Sequence, residues 1–180
     1  MLNDIVEGAV DMSVSDEQTP ENWGFKELND LLLPIIPLKP IELTDEISKM
    51  SKDEFKHMLK ELATKFYESK EAEFPDAEQV REIERVVLLK VIDNKWMSHI
   101  DDMDQLREGI GLQAYGNRDP LVEYKMSAYE MFDDMTAAIR EDTIRILCHI
   151  RVEEKVEREP AAKVTGTNRD DSAAKAPQRR

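Results

Sequence analysis

The chain has 180 residues, of which 36% are charged and only six are glycine, and it carries a formal net charge of −14. That is too little glycine for the turns of a β-sandwich or a doubly wound sheet, while Leu, Lys, Glu, Met and Ala supply strong helix formers, so the composition predicts an all-α fold. The acidic balance argues against a chain that wraps nucleic acid, and one cysteine, Cys148, leaves no internal disulfide or cysteine-based zinc cluster and fits a reducing compartment.

No apolar run approaches the roughly 20 residues of a bilayer span, and the start lacks the basic-then-apolar order of a signal peptide. A cytosolic protein is expected. Leu2, Ile5, Val6, Ala9 and Val10 stand at helical spacing with no N-cap before them, so residues 1–14 read as the end of a helix cut from a longer protein.

A polar loop follows, and Thr19-Pro20 supplies an N-cap and a first helical position. Trp23, Leu28, Leu31 and Leu32 form a stripe closed by Pro34, and Pro34, Pro37 and Pro40 then enforce an irregular strap through Ile35, Ile36, Leu38 and Ile41. Thr44 starts a short turn. Ser51-Lys52-Asp53-Glu54 is a capping box, in which serine hydroxyl and glutamate carboxylate satisfy each other's free amides. From it Phe55, Met58, Leu59, Leu62 and Phe66 recur at helical spacing to about Glu73, where Phe74-Pro75 breaks the run. Residues 19–73 are predicted to be a small helical module.

From Asp76 to Glu108 the pattern is uninterrupted, through Val80, Ile83, Val87, Val91, Trp96, His99, Met103 and Leu106, a helix of about 50 Å. Gly109, Gly111 and Gly116 then crowd together and predict that the helix ends, opening a tip loop over 109–120. Asp119-Pro120 restarts a helix. Its residues Ala128, Phe132, Met135, Ile139, Ile146 and Ile150 alternate by three and four, the seam spacing of an antiparallel hairpin. The predicted hairpin core is Trp96, Met103, Leu106, Phe132, Met135 and Ile139. Residues 157–180 have almost nothing apolar and are expected to be disordered.

No phosphate-binding glycine signature occurs, and no catalytic residue or cofactor site is assigned. Asp101, Asp102 and Asp104 beside His99 point in different directions from a helix, so a solvated acidic face is expected there and no metal site. His57 and His149 have no spaced partner histidine and fit packing or surface roles. At the tip, Ile110, Leu112 and Tyr115 are interleaved with glycines where a hairpin exposes its end, which suits partner contact and self-packing equally.

The run ERVVLLKVIDNKWMSHIDDMDQLREGIGLQAYGNRDPLVEYKMSAY, from Glu84 to Tyr129, contains W-M-x-H-I-D-x-M-x-Q-L-R-E-G-I-x-L and A-Y-G-x-x-D-P-L-x-E-Y. It resembles the C-terminal region of the SecA family, the motor ATPases of bacterial preprotein translocation. The resemblance extends to about Val152, and more loosely to the N-terminal third through Trp23 and the Pro-interrupted stretch.

The resemblance implies that residues 1–14 end a long scaffold helix, 19–73 form a helical wing domain and 76–152 form the two-helix finger of the helical scaffold. It implies a finger that reaches the cytoplasmic mouth of the SecY channel (SecYEG) and meets the preprotein with Tyr115 and Leu112, flanked by Ile110, Gln113 and Arg118. Membrane association would then be peripheral, through the channel, at the cytoplasmic face of the bacterial plasma membrane. ATP and Mg would belong to SecA motor domains outside this chain. Two alternatives accompany that expectation: a regulator that restrains the motor ATPase, and a free-standing helical adaptor.

Overall fold

The computed structural model describes residues 1–15, 19–113 and 119–151 and is all-α, with no strand among the described residues. Among the described residues five α-helices follow one another: α1 (Leu2–Ser13), α2 (Phe25–Leu32), α3 (Lys52–Glu71), α4 (Ala77–Gln113) and α5 (Pro120–His149), with single 3-10 turns at Pro20–Asn22 and Ile47–Lys49. The first three pack into one compact body, here termed the wing as a label for residues 2–71; the last two make a long hairpin.

Local chemistry sets the helix starts. At α3 the Glu54 amide donates to Ser51 Oγ at 3.3 Å and the Ser51 amide donates back to Glu54 Oε2 at 2.8 Å, the reciprocal cap expected of that sequence. At α5 the Leu121 amide donates to Asp119 Oδ1 at 2.9 Å, with Pro120 in the first helical position. The Ile47 turn is held by its own amide donating to Thr44 Oγ1 at 3.3 Å.

The proline-rich strap after α2 forms no helix or strand beyond the turn that closes α2, and its apolar residues Ile36 and Ile41 are nonetheless buried. Asn29 makes that possible. Its amide donates to the Ile41 carbonyl at 2.8 Å and its carbonyl oxygen accepts from the Ile41 amide at 2.9 Å, replacing the pairing a neighbouring strand would provide.

The core lies in the wing. Phe55, Leu28, Leu32, Ile36, Leu59, Val6 and Val10 are completely buried, and the Trp23 ring packs on Phe55 with centroids 5.0 Å apart. Residues 2–13 are part of this core: Val6, Ala9 and Val10 present one helical face to α2 and α3 and belong to this cluster. Charge reinforces the α1–α3 contact, because Lys52 and Lys56 reach Asp11 at 2.9 and 2.7 Å and Lys60 pairs with Glu7. From the hairpin, Ile144 and Cys148 of α5 enter the same cluster.

One boundary differs from the sequence expectation. α4 does not stop before Gly109 but continues through Gly109 and Gly111 to Gln113, giving 37 residues and a length of about 55 Å. Glycine in a helix costs only about 1 kcal/mol relative to alanine, and a helix already nucleated over many turns extends through it by cooperativity. The segment 157–180, expected to be disordered, lies outside the described residues.

Candidate functional site

The feature able to act at a distance is the α4–α5 hairpin, so its seam, outer face, tip and base define the candidate site. Along α4 the inward positions are Val80 and Val91, both buried, then Lys95, His99, Met103, Leu106 and Ile110, all partly buried. Facing them on α5 are Ala128, Met131, Met135 and Ile139, also partly buried. Met103, Leu106, Met135 and Ile139 lie at half-buried positions along the hairpin.

Trp96 and Phe132 do not. They are 48% and 45% exposed, and Ile146 is 43% exposed. The cause is helical phase: Val91, Lys95, His99 and Met103 recur every four residues, and Trp96, one residue beyond Lys95, is turned about 100° away from the seam. A two-helix hairpin can bury only one narrow stripe from each helix, so these rings lie beside it. His99 sits between them, its ring centroid 5.9 Å from Trp96 and 6.0 Å from Phe132.

Lys95 occupies the seam position that a hydrophobicity pattern awards to Trp96. Its ammonium meets Asp142 Oδ2 of α5 at 2.6 Å, and the other oxygen of Asp142 accepts from Arg145 at 2.5 Å. Arg145 also pairs with Glu141. This inter-helix contact is invisible as a pattern because a lone Lys and a distant Asp carry no periodic signal.

An outer apolar face accompanies the aromatic trio. Leu89, Trp96 and Ile100 recur along one side of α4, and Phe132 and Tyr129 continue it on α5; all are exposed. The spacing of Leu89, Trp96 and Ile100 is itself a helical stripe, so a second period can be read beside the first.

At the tip, Ile110 is partly buried and Leu112 and Gln113 belong to the last turn of α4. Tyr115 and Arg118 lie outside the described residues. Asp101, Asp102 and Asp104 are exposed, and among the described residues no group of three His, Cys, Asp or Glu converges as a metal site. No helix of the described residues is long and apolar enough to cross a membrane.

At the base, polar contacts tie α3 to the hairpin. The Tyr67 hydroxyl donates to Glu84 Oε1 at 2.5 Å, and Arg81 bridges Glu84 Oε2 at 2.7 Å and Glu71 at 3.3 Å. Burial and the neighbouring Glu84 carboxylate push the Tyr67 phenol above its ordinary range, so it remains a neutral donor. Lys70 donates to the Ile150 carbonyl at 3.4 Å, capping the end of α5. Burial likewise raises the Cys148 thiol to about 11.

Comparison with known proteins agrees with this architecture. The family described as the SecA wing and scaffold domain matches residues 1–151. The protein translocase subunit SecA of Lachnoclostridium phytofermentans is 64% identical over 181 residues, covering 100% of this chain and 21% of that protein. The SecA subunit of Carboxydothermus hydrogenoformans is 44% identical over 100% of this chain and 20% of its own length, and that of Clostridium botulinum 42% over 97% and 21%. The chain therefore spans about a fifth of the length of these relatives.

Proposed function

Because the chain belongs to the SecA family, through its wing and scaffold domain, we propose that it conveys ATP-driven movement of a motor to a preprotein entering the SecY channel. The observation that carries this reading is the hairpin's construction: two long helices pinned along one seam, rooted at one end in a wing core through Ile144 and Cys148. Such a body transmits displacement along its length with little internal loss. Nucleotide and Mg would be held by parts of the longer relatives outside this span, and the membrane would be met only peripherally, through the channel. No residue of this chain is assigned a chemical step.

In this reading Ile110, Leu112, Gln113, Tyr115 and Arg118 form the working end. Contact with segments of any sequence calls for side-chain-tolerant apolar and aromatic groups, because a hydrogen-bonding pocket would favour particular substrates. Site-specific crosslinking from position 115 of a full-length protein during translocation tests it. Crosslinks to preprotein or channel are expected; their absence to both overturns the tip assignment.

A second reading rests on the outer face of Leu89, Trp96, Ile100, Tyr129 and Phe132, whose exposed apolar surface suits packing against other parts of the longer chain. Through that face the hairpin would restrain the motor ATPase. Adding this chain to a motor that lacks it separates the two: lowered basal ATPase activity supports restraint, and unchanged activity with tip crosslinks retained supports substrate handling.

A further inference from the structure

The hairpin is joined to the wing in two different ways. α5 is held by burial, with Ile144 and Cys148 inside the wing core. At the corner between α3 and α4, beside the buried Val80, directional polar contacts are added: Tyr67 to Glu84, and Arg81 to both Glu84 and Glu71. Apolar burial is indifferent to small rotations, whereas a hydrogen bond to a carboxylate fixes both distance and angle.

Tyr67 itself is half-buried at the edge of the core. Its ring lines a shallow surface cleft on the Val80 and Ile150 side and a second, of about 260 Å³, on the Leu88 and Thr143 side, and Glu84 lines both. The Thr143 hydroxyl in that cleft is buried without a hydrogen-bond partner among the described residues. The ring packs against the core while its hydroxyl is held by Glu84, so core packing and this hydrogen bond together fix its orientation.

We propose that Tyr67, Glu84, Arg81 and Glu71 form a latch that sets the angle between wing and hairpin: closed, it clamps the start of α4 to the end of α3; open, it lets the α3–α4 corner move while α5 stays rooted in the core. The turn over residues 72–76, containing Pro75, is the short connection about which that movement occurs. Local opening of this sort draws on the contacts that are cheapest to break, and Arg81 is 67% exposed.

The test uses paired spin labels on the whole chain, at Thr64→Cys on the wing and Lys90→Cys on the hairpin, both exposed positions, with Cys148 protected by burial. The parent should show one narrow distance distribution. Tyr67→Phe, which keeps the ring and removes only the hydroxyl, should broaden it or add a second population, with helicity unchanged by circular dichroism. Glu84→Gln should act in the same direction, more weakly, because its amide oxygen still accepts. If Tyr67→Phe loses helicity, the surface variant Arg81→Ala decides. Distributions identical to the parent in folded variants would overturn the latch and leave the α5 anchor alone in control of the angle.

Discussion

Lys95 and Asp142 meet at 2.6 Å across the α4–α5 seam, the ammonium 34% and the carboxylate 26% exposed. Sliding one helix past the other by a turn would offset them by ~5.4 Å along the axis, enough to break the pair, so it favours one register of the seam. Lys95→Met keeps an unbranched apolar stem and removes the charge, while Asp142 retains Arg145. A loss of about 1 kcal/mol is expected, read as a lower urea midpoint at constant slope. A double-mutant cycle with Asp142→Asn should return a coupling of that order; zero coupling would assign the register to apolar packing.

Gly109 lies within α4, and a Cβ added there would meet nothing within 4 Å. Gly109→Ala should therefore stabilise the hairpin by roughly 0.5–1 kcal/mol, mostly by reducing the freedom of the unfolded chain. Denaturant titration checks this. Destabilisation would mean that the chain leaves the helix at 109 in solution, as the glycine run alone predicts.

The two tryptophans separate wing from hairpin optically. Trp23 is 6% exposed and Trp96 48%. Emission from Trp96→Phe, which reports Trp23, should be blue-shifted and resistant to acrylamide; emission from Trp23→Phe should be red-shifted and readily quenched. Trp23→Ala should cost about 3–5 kcal/mol as a core truncation, and Trp96→Ala about 1 kcal/mol or less. Equal quenching of both would contradict the placement of Trp96 beside the seam.

Cys148 supplies a pH prediction whose sign is fixed. Burial raises the thiol from 9.0 to about 11, with Lys70 opposing. A raised folded value contributes stability that is complete below pH 9.0 and is lost as pH rises through about 11. Tyr67, raised from 10.0 by burial first and by Glu84 second, adds to the same alkaline decline. Unfolding midpoints should fall above pH 9, less steeply in Cys148→Ala. Labelling of the native thiol by a disulfide reagent near neutral pH should be slow and should accelerate on adding denaturant; rapid native labelling would place Cys148 at the surface.

What can be read from sequence is what neighbouring residues decide among themselves. The Ser51 capping box and the Asp119-Pro120 start are local and appear as expected. The all-α class, the antiparallel hairpin and most of its seam follow from period and composition. Residues decided by distant partners escape that reading. Periodicity favours Trp96 over Lys95 because hydrophobicity cannot register a charge whose justification is Asp142 on another helix. The burial of Val6 and Val10 is not legible locally because their partners, Leu28 and Phe55 among them, arrive later in the chain. At the tip, Tyr115 is singled out by its motif, and its geometry lies outside the described residues.

Rooting α5 at one end has a mechanical consequence. From Ile144, inside the wing core, to Pro120 the helix rises about 36 Å. A tilt of about 5° at the root therefore sweeps the far end by about 3 Å, comparable to the rise of two helical residues. Small repacking around Ile144 and Cys148 would thus be magnified at the Pro120 end, far from the side chains that repack.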